Sequence, residues 1–384
     1  MPDRPLMVRT DATNAFAHNT MKVRVPAIIR EVQALNPDYS PLIQAALAQL
    51  AEAMENDQPI PMVDSLSPDY DMWASCFAPY AGDTWLNTDW FFAEIYGYRL
   101  LMQAVRWWET GRDPFAPKKD AELGNSGLWT LLNSVLTSQG EKPEDKFMRL
   151  IHNALWGNRI DLSFAASQVH GTAVGNDDLL VNDSHAVVEH ILNTTGDFHL
   201  IADNTGTELA MDLALVDALL EHPDNRVTLH LKMHPTFVSD ATVPDVRHLI
   251  EKILLHPDPI IQAFVSRLEK AFGDGRLRFV PDFYWNSTHV LEEMPPHLVD
   301  VFRSAALVII KGDANYRRMV GDRLWSPATP YASVTSYFPA TLLALRTLKS
   351  DLVVGLPVGM AERLDIEDPQ WRINGRRGLI QFRP

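Results

Sequence analysis

Two kinds of apolar spacing divide the chain. Residues 27–56 (AIIREVQALNPDYSPLIQAALAQLAEAMEN) repeat apolar positions at helical intervals among good helix formers, and Asn36-Pro37 predicts a break into two helices. Residues 88–110 predict one long aromatic helix, with Thr88 as N-cap and Gly111 just past its end. Further helical runs follow at 126–137 and 145–157, and 112–125 (RDPFAPKKDAELGN) reads as a linker between helical pieces. From about residue 184 the pattern changes to short apolar runs ending in polar residues: HAVVEHILN, FHLIADN, RVTLHLKMHPTFVSD, RLRFV, ALVIIKGD and SDLVVGLP. Strands alternating with helices predict βαβ units. The expected fold class is α/β. A mainly helical lobe spans 1–183, and a three-layer α/β/α sandwich with a largely parallel sheet spans 184–384.

In open α/β sheets ligands gather outside the carboxyl ends of the strands. Three expected strand ends carry aspartate: Ile201-Ala202 leads to Asp203-Asn204, Val238-Ser239 to Asp240, and Ile310-Lys311-Gly312 to Asp313. Each alone is explained by capping or turn chemistry. Together they put three carboxylates on one edge, where like charges repel unless a cation holds them. Oxygen donors without thiolates suit magnesium or manganese. Glu208 follows in the next helical turn, where it orients a ligand or simply favours the helix N-terminus. Lys311, Arg317 and Arg318 cluster around the turn at 311–322, and Arg346 and Lys349 lie beyond it, so cations meet carboxylates at one edge. That combination describes phosphoryl transfer or phosphate-ester hydrolysis.

Composition narrows the field. The formal charge of −15 disfavours non-specific nucleic-acid or anionic-membrane binding. Cys76 is the sole cysteine, so neither an intrachain disulfide nor a thiolate metal cluster forms. The start, MPDRPLMVRTDATNAF, lacks the apolar core of a signal peptide, and no apolar run reaches membrane-spanning length. The expectation is a soluble cytoplasmic enzyme acting on a small phosphorylated metabolite, with no nucleic-acid, membrane or obligate protein partner.

Four ordered pieces of the α/β half carry a resemblance: Asp203-Asn204-x-Gly206-x-Glu208, Phe237-Val238-Ser239-Asp240, Lys311-Gly312-Asp313-x-Asn315-Tyr316-Arg317, and Arg346-Thr347-Leu348-Lys349. Trp90-Phe91-Phe92-Ala93-Glu94 and Leu155-Trp156-Gly157-Asn158-Arg159-x-Asp161 agree in the first half. The chain resembles the damage-control phosphatases built on domain of unknown function 89. Within them it resembles the subfamily with an Arg-Thr-x-Lys motif, also described as protein-glutamate methyltransferases. The resemblance implies a divalent cation (manganese, magnesium, cobalt or nickel) on Asp203, Asn204 and Asp240. It also implies phosphate contacts from Asp313, Asn315, Tyr316, Arg317 and Lys349, and sugar phosphates such as fructose 1-phosphate as substrates. Ala314 stands where a larger apolar residue is common.

Two other readings compete. Asp203-Asn204-Thr205-Gly206-Thr207 is similar to the nucleophile turn of haloacid-dehalogenase phosphatases, although Thr205 stands where the soluble members want an aspartate. A methyltransferase using S-adenosylmethionine wants several glycines after its first strand, and only Gly206 is available. His230 and His234 have a zinc-like spacing but read as structural. The aromatic cluster at 85–108 reads chiefly as packing, with part of it, Glu94 and Arg99 as a possible roof over the cleft. Asn158 and Asp161 have the same claim.

Overall fold

The computed structural model describes residues 4–384 except 65, 138–139 and 171–177, and the side chains of 158–170 are also outside the description. Asn158 and Asp161 therefore lie outside the described side chains. The helix expected at 27–56 is split as the Asn-Pro pair requires, into Val25–Leu35 and Pro41–Glu55. The aromatic helix runs Trp90–Ala104 and breaks at Arg106, whose φ of 57° is left-handed, before a short turn Trp107–Thr110. The 112–125 segment is not a plain linker, because Ala116–Leu123 is helical.

Among the described residues seven strands follow: β1 (Leu179–Asn182), β2 (Asp197–Ile201), β3 (Arg226–Lys232), β4 (Leu277–Asp282), β5 (Leu307–Lys311), β6 (Leu342–Thr347) and β7 (Gly378–Arg383). Their order is β1-β7-β6-β5-β2-β3-β4. Strands β2 to β6 are mutually parallel, β7 runs antiparallel to β6, and β1 is parallel to β7. Two expected strands are something else. HAVVEHILN is the helix Ser184–Asn193, its apolar Val187, Val188 and Ile191 buried at helical spacing, and SDLVVGLP is an irregular segment after β6.

The uniformly apolar β5 is explained by burial on both faces. Val308 and Ile310 pack into one core with the N-terminal helices, while Leu307 and Ile309 pack into a second core with the helices of 123–156 and 206–271. Leu342 and Ala344 of β6 alternate with Leu343 and Leu345 in the same way. Helix Gly206–Leu219 is buried along its whole length, so it has no polar face to reveal its period. Among the described residues no helix is long and apolar enough to cross a membrane.

In the first half, Arg99 does not roof a cleft. It is fully buried and forms a fork with Asp69, Nε to Oδ2 and Nη2 to Oδ1 both at 2.7 Å, while the Trp73 indole donates to Asp69 Oδ2 at 2.8 Å. Removing one partner leaves a buried charge unmatched. Asp69→Ala is expected to lower the unfolding free energy by roughly 3–5 kcal/mol. Urea titration checks it; a change below about 1 kcal/mol contradicts the pairing.

Candidate active site

The chain turns from β2 to β3 and β4 on one side, then returns to place β5 on the other side of β2. Between β2 and β5 the strand order reverses, which opens a crevice beyond their carboxyl ends. Asp203-Asn204 leaves β2 there, and Gly312-Asp313 leaves β5 beside it. The approach is close: a Cβ on Gly312 would stand 2.0 Å from Asp203 Oδ2, and Gly312 has φ 83° and ψ 174°, a region open to glycine alone.

Asp240 arrives differently from expectation. It is not at a strand end, because β3 stops at Lys232 and residues 233–241 fold back as a loop. That loop pairs with the end of β2: the Thr205 N–H donates to Ser239 O at 2.8 Å and the Ala241 N–H to Asp203 O at 2.7 Å. Asn204 and Asp240 form an antiparallel bridge. Phe237 and Val238 take φ of 49° and 72°, conformations that cost of order 1–3 kcal/mol each. Strain of this kind, in a β-branched residue beside the site, brings Asp240 to Asp203.

The polar groups form a connected set. The Asn204 amide donates to Asp203 Oδ2 at 2.8 Å and to Glu208 Oε2 at 2.9 Å, while its oxygen accepts from the Ser239 hydroxyl at 2.5 Å. Burial, then the charges of Glu208 and Asp240, holds the Asp203 carboxyl well above the ordinary carboxylate range. Asp240 is pushed up to about 6 by burial, with Lys232 opposing from 3.4 Å. Lys232 itself is brought down to about 8 by burial. Asp313 goes the other way: burial raises it, but Arg346 and Arg317 outweigh that and hold it low.

A cavity of about 240 Å³ collects Asp203, Asn204, Asp240, Asp313, Arg317 and Lys349 from the α/β half, together with Phe237, Ser239 and Ala314. Trp90, Glu94, Tyr98 and Arg24 close it from the helical half. Other expected site residues stand behind it. Lys311 is buried, donating to Ala154 O, to Glu208 Oε1 at 3.0 Å and to Asp212 Oδ1 at 2.7 Å, so its ammonium is saturated by the protein. Glu208 is thereby a link between Lys311 and Asn204. Asn315 ties the ends of β2 and β5 together through Ala202 O and Lys311 O, and the Tyr316 hydroxyl donates to Gln381. Arg346 holds Asp313 at 2.7 Å, and Arg318 donates to the carbonyls of Trp285, Ser287 and His289. Arg317 faces the cavity but is already clasped by Glu94 at 2.6 Å and Asp322 at 2.7 Å, and stacks on Trp90 at 3.5 Å. Lys349 and Arg24 are the exposed cations of the cavity, with no ion pair among the described residues.

Residues 20–364 match the damage-control phosphatase ARMT1-like domain. The chain belongs to that family. The rat protein named damage-control phosphatase ARMT1 is 30% identical, over 100% of this chain and 99% of that protein. The human protein of the same name is 27% identical, over 98% of each. A crystal structure of a DUF89 family protein from Pyrococcus horikoshii superposes with a TM-score of 0.55 at 14% identity, covering 99% of this chain and 100% of that one, a likeness of fold.

For this damage-control phosphatase family member, the sequence reading missed Arg24 and Tyr98. No local signal marks either: one is an arginine on a helical run, the other an aromatic in an aromatic helix. His230 is buried and within 3.0 Å of His199, and burial brings the two down to about 3 and about 4, so both are neutral core imidazoles.

The contact between Gly312 and Asp203 is testable. Gly312→Ala is expected to destabilise the chain by at least about 2 kcal/mol, from backbone strain and collision together. In an Asp203→Ala background part of that cost disappears, giving a coupling of roughly 0.5–3 kcal/mol in a double-mutant cycle. Strict additivity in urea unfolding contradicts the close approach.

Proposed function

We propose that this chain is a metal-dependent phosphomonoester hydrolase acting on a small phosphorylated metabolite, a sugar phosphate such as fructose 1-phosphate. The observation that carries the reading is the convergence of Asp203, Asn204 and Asp240 with Lys349 in one small cavity at the switch point of the sheet. The donor set suits a hard divalent cation: two buried carboxyls raised by burial and by neighbouring negative charge, beside an amide oxygen. Asp203, Asn204 and Asp240 would hold manganese, magnesium, cobalt or nickel. Such an ion supplies Lewis-acid stabilisation of charge on the phosphoryl oxygens.

The chain's own groups supply the rest. Lys349 neutralises phosphoryl oxygens, with its backbone fixed by the N–H donated to Asp313 Oδ1 at 3.0 Å. Arg317 is spent on Glu94 and Asp322, and its part is to clamp the helical half onto the α/β half. Either Asp240 or Asp203 takes the proton from an attacking water, or the Asp203 carboxylate attacks phosphorus directly. Trapping a phosphoenzyme in single-turnover mixing selects the last route.

The methyltransferase reading meets an obstacle at the first turn. The Glu122 carboxylate lies against Gly206, 2.1 Å from where a Cβ would stand, and accepts from the Thr207 N–H at 2.8 Å. The helix N-terminus that would face an adenosyl or phosphate group already holds an anion.

The test is a phosphometabolite panel on chelated chain with manganese, magnesium, cobalt and nickel restored singly. Phosphate release is expected only with metal, and Asp203→Ala is expected to lose roughly 100-fold or more of it while remaining folded. Near-wild-type turnover by that variant counts against the assignment. Methyl transfer from labelled S-adenosylmethionine without phosphate release would favour the rival.

A further inference from the structure

Two side chains on the helical wall of the cavity have no part in the phosphoryl chemistry. Arg24 ends a π-helical turn, Thr20–Arg24, set between the helices Ala15–Asn19 and Val25–Leu35. Met21 and Val25 are buried, so the turn is anchored while Arg24 stays exposed at the cavity. Single π turns recur at functional sites, where the wider turn re-aims a side chain within an otherwise regular helix.

Tyr98 supplies an independent observation. It is 3% exposed and lines the same cavity, yet its hydroxyl has no hydrogen-bond partner among the described residues. Buried tyrosine hydroxyls are normally satisfied, so one turned to an open cavity calls for a partner there. Burial raises its ionisation well above the ordinary tyrosine value, which keeps the proton available for donation.

The two exposed cations belong to different walls of the space. Lys349 stands on the α/β side, its N–H donating to Asp313 Oδ1 at 3.0 Å, and Arg24 stands with Tyr98 on the helical side. The Tyr98 ring packs on Phe237 with centroids 5.1 Å apart, an apolar wall beside the polar pair. At about 240 Å³ the cavity is below the size of drug-like ligand sites, which limits the occupant to a small metabolite.

We propose that Arg24 and Tyr98 recognise hydroxyl oxygens on the organic part of the substrate, so that the site prefers phosphorylated sugars and polyols to phosphate esters with an apolar leaving group. This rests on the phosphatase reading and names the residues that set its specificity. A site built to pair with substrate hydroxyls discriminates strongly against esters that leave its buried polar groups unmatched.

The experiment compares fructose 1-phosphate with p-nitrophenyl phosphate, and measures inhibition by inorganic phosphate, for wild type, Tyr98→Phe, Arg24→Ala and Arg24→Lys. KM for the sugar phosphate is expected to rise roughly 10–100-fold in Tyr98→Phe and Arg24→Ala. In the same variants, kcat/KM for the aryl ester and the inhibition constant of phosphate stay within about twofold. Arg24→Lys recovers part of the loss. Tyr98→Phe keeps the ring and Arg24 is exposed, so folding is not at issue. An unchanged sugar-phosphate KM, or a parallel loss on all three ligands, overturns the inference while leaving an active phosphatase. A wild-type chain that releases no phosphate with any metal sinks both readings together.

Discussion

Negative charge is crowded where water is scarce. Asp203, Glu208 and Asp240 meet around one asparagine at the carboxyl edge of the sheet, and burial alone already disfavours ionising Asp203 and Asp240. Each added like charge deepens that cost. The surrounding protein relieves it unevenly. Glu208 has Lys311 and Asp240 has Lys232, but among the described residues no ion pair holds Asp203, whose ionisation Lys349 and Lys311 favour without outweighing its burial. The proposed cation would relieve the repulsion by sitting among these oxygens, and the rest of the architecture brings those oxygens together.

Three buried cations do the arranging. Lys311 locks the end of β5 to the helix after β2 through Glu208 and Asp212. Arg346 of β6 fixes Asp313, and the N–H of Lys349 reads the same carboxylate, so β5 and β6 present their ends in register. Arg317 reaches across to Glu94 and lies on Trp90, joining the helical half to the α/β half at the cavity rim. Partners of this kind contribute little net stability against an apolar alternative, yet losing one is costly. Their value here is geometric: they hold the carboxylates and Lys349 while leaving Lys349, Arg24 and the Tyr98 hydroxyl free for a ligand.

Much of this was legible in the chain. The α/β class followed from apolar runs ending in Asp or Lys, and Asp203, Asn204, Asp240, Asp313, Arg317 and Lys349 do share one cavity. Legibility failed where burial erased periodicity or where contacts were long-range. HAVVEHILN has a strand's composition, but its 3.6-residue face meets the second core. LLALRT was hidden because its apolar residues face two cores at once. Lys311 looked like a phosphate ligand because the partners that saturate it lie 99 to 157 residues away in sequence. Arg24 is likewise far in sequence from the α/β residues that share its cavity, and only the packing of the helical half shows it.

The central claim is that the crowded edge needs a cation, and the unfolding midpoint of chelated chain titrated with manganese tests it most directly. The account predicts a midpoint that climbs with manganese concentration, together with an Asp203→Asn variant that starts higher in the absence of metal and no longer responds. A wild-type midpoint indifferent to millimolar manganese, or an Asp203→Asn variant that responds as wild type does, would contradict it.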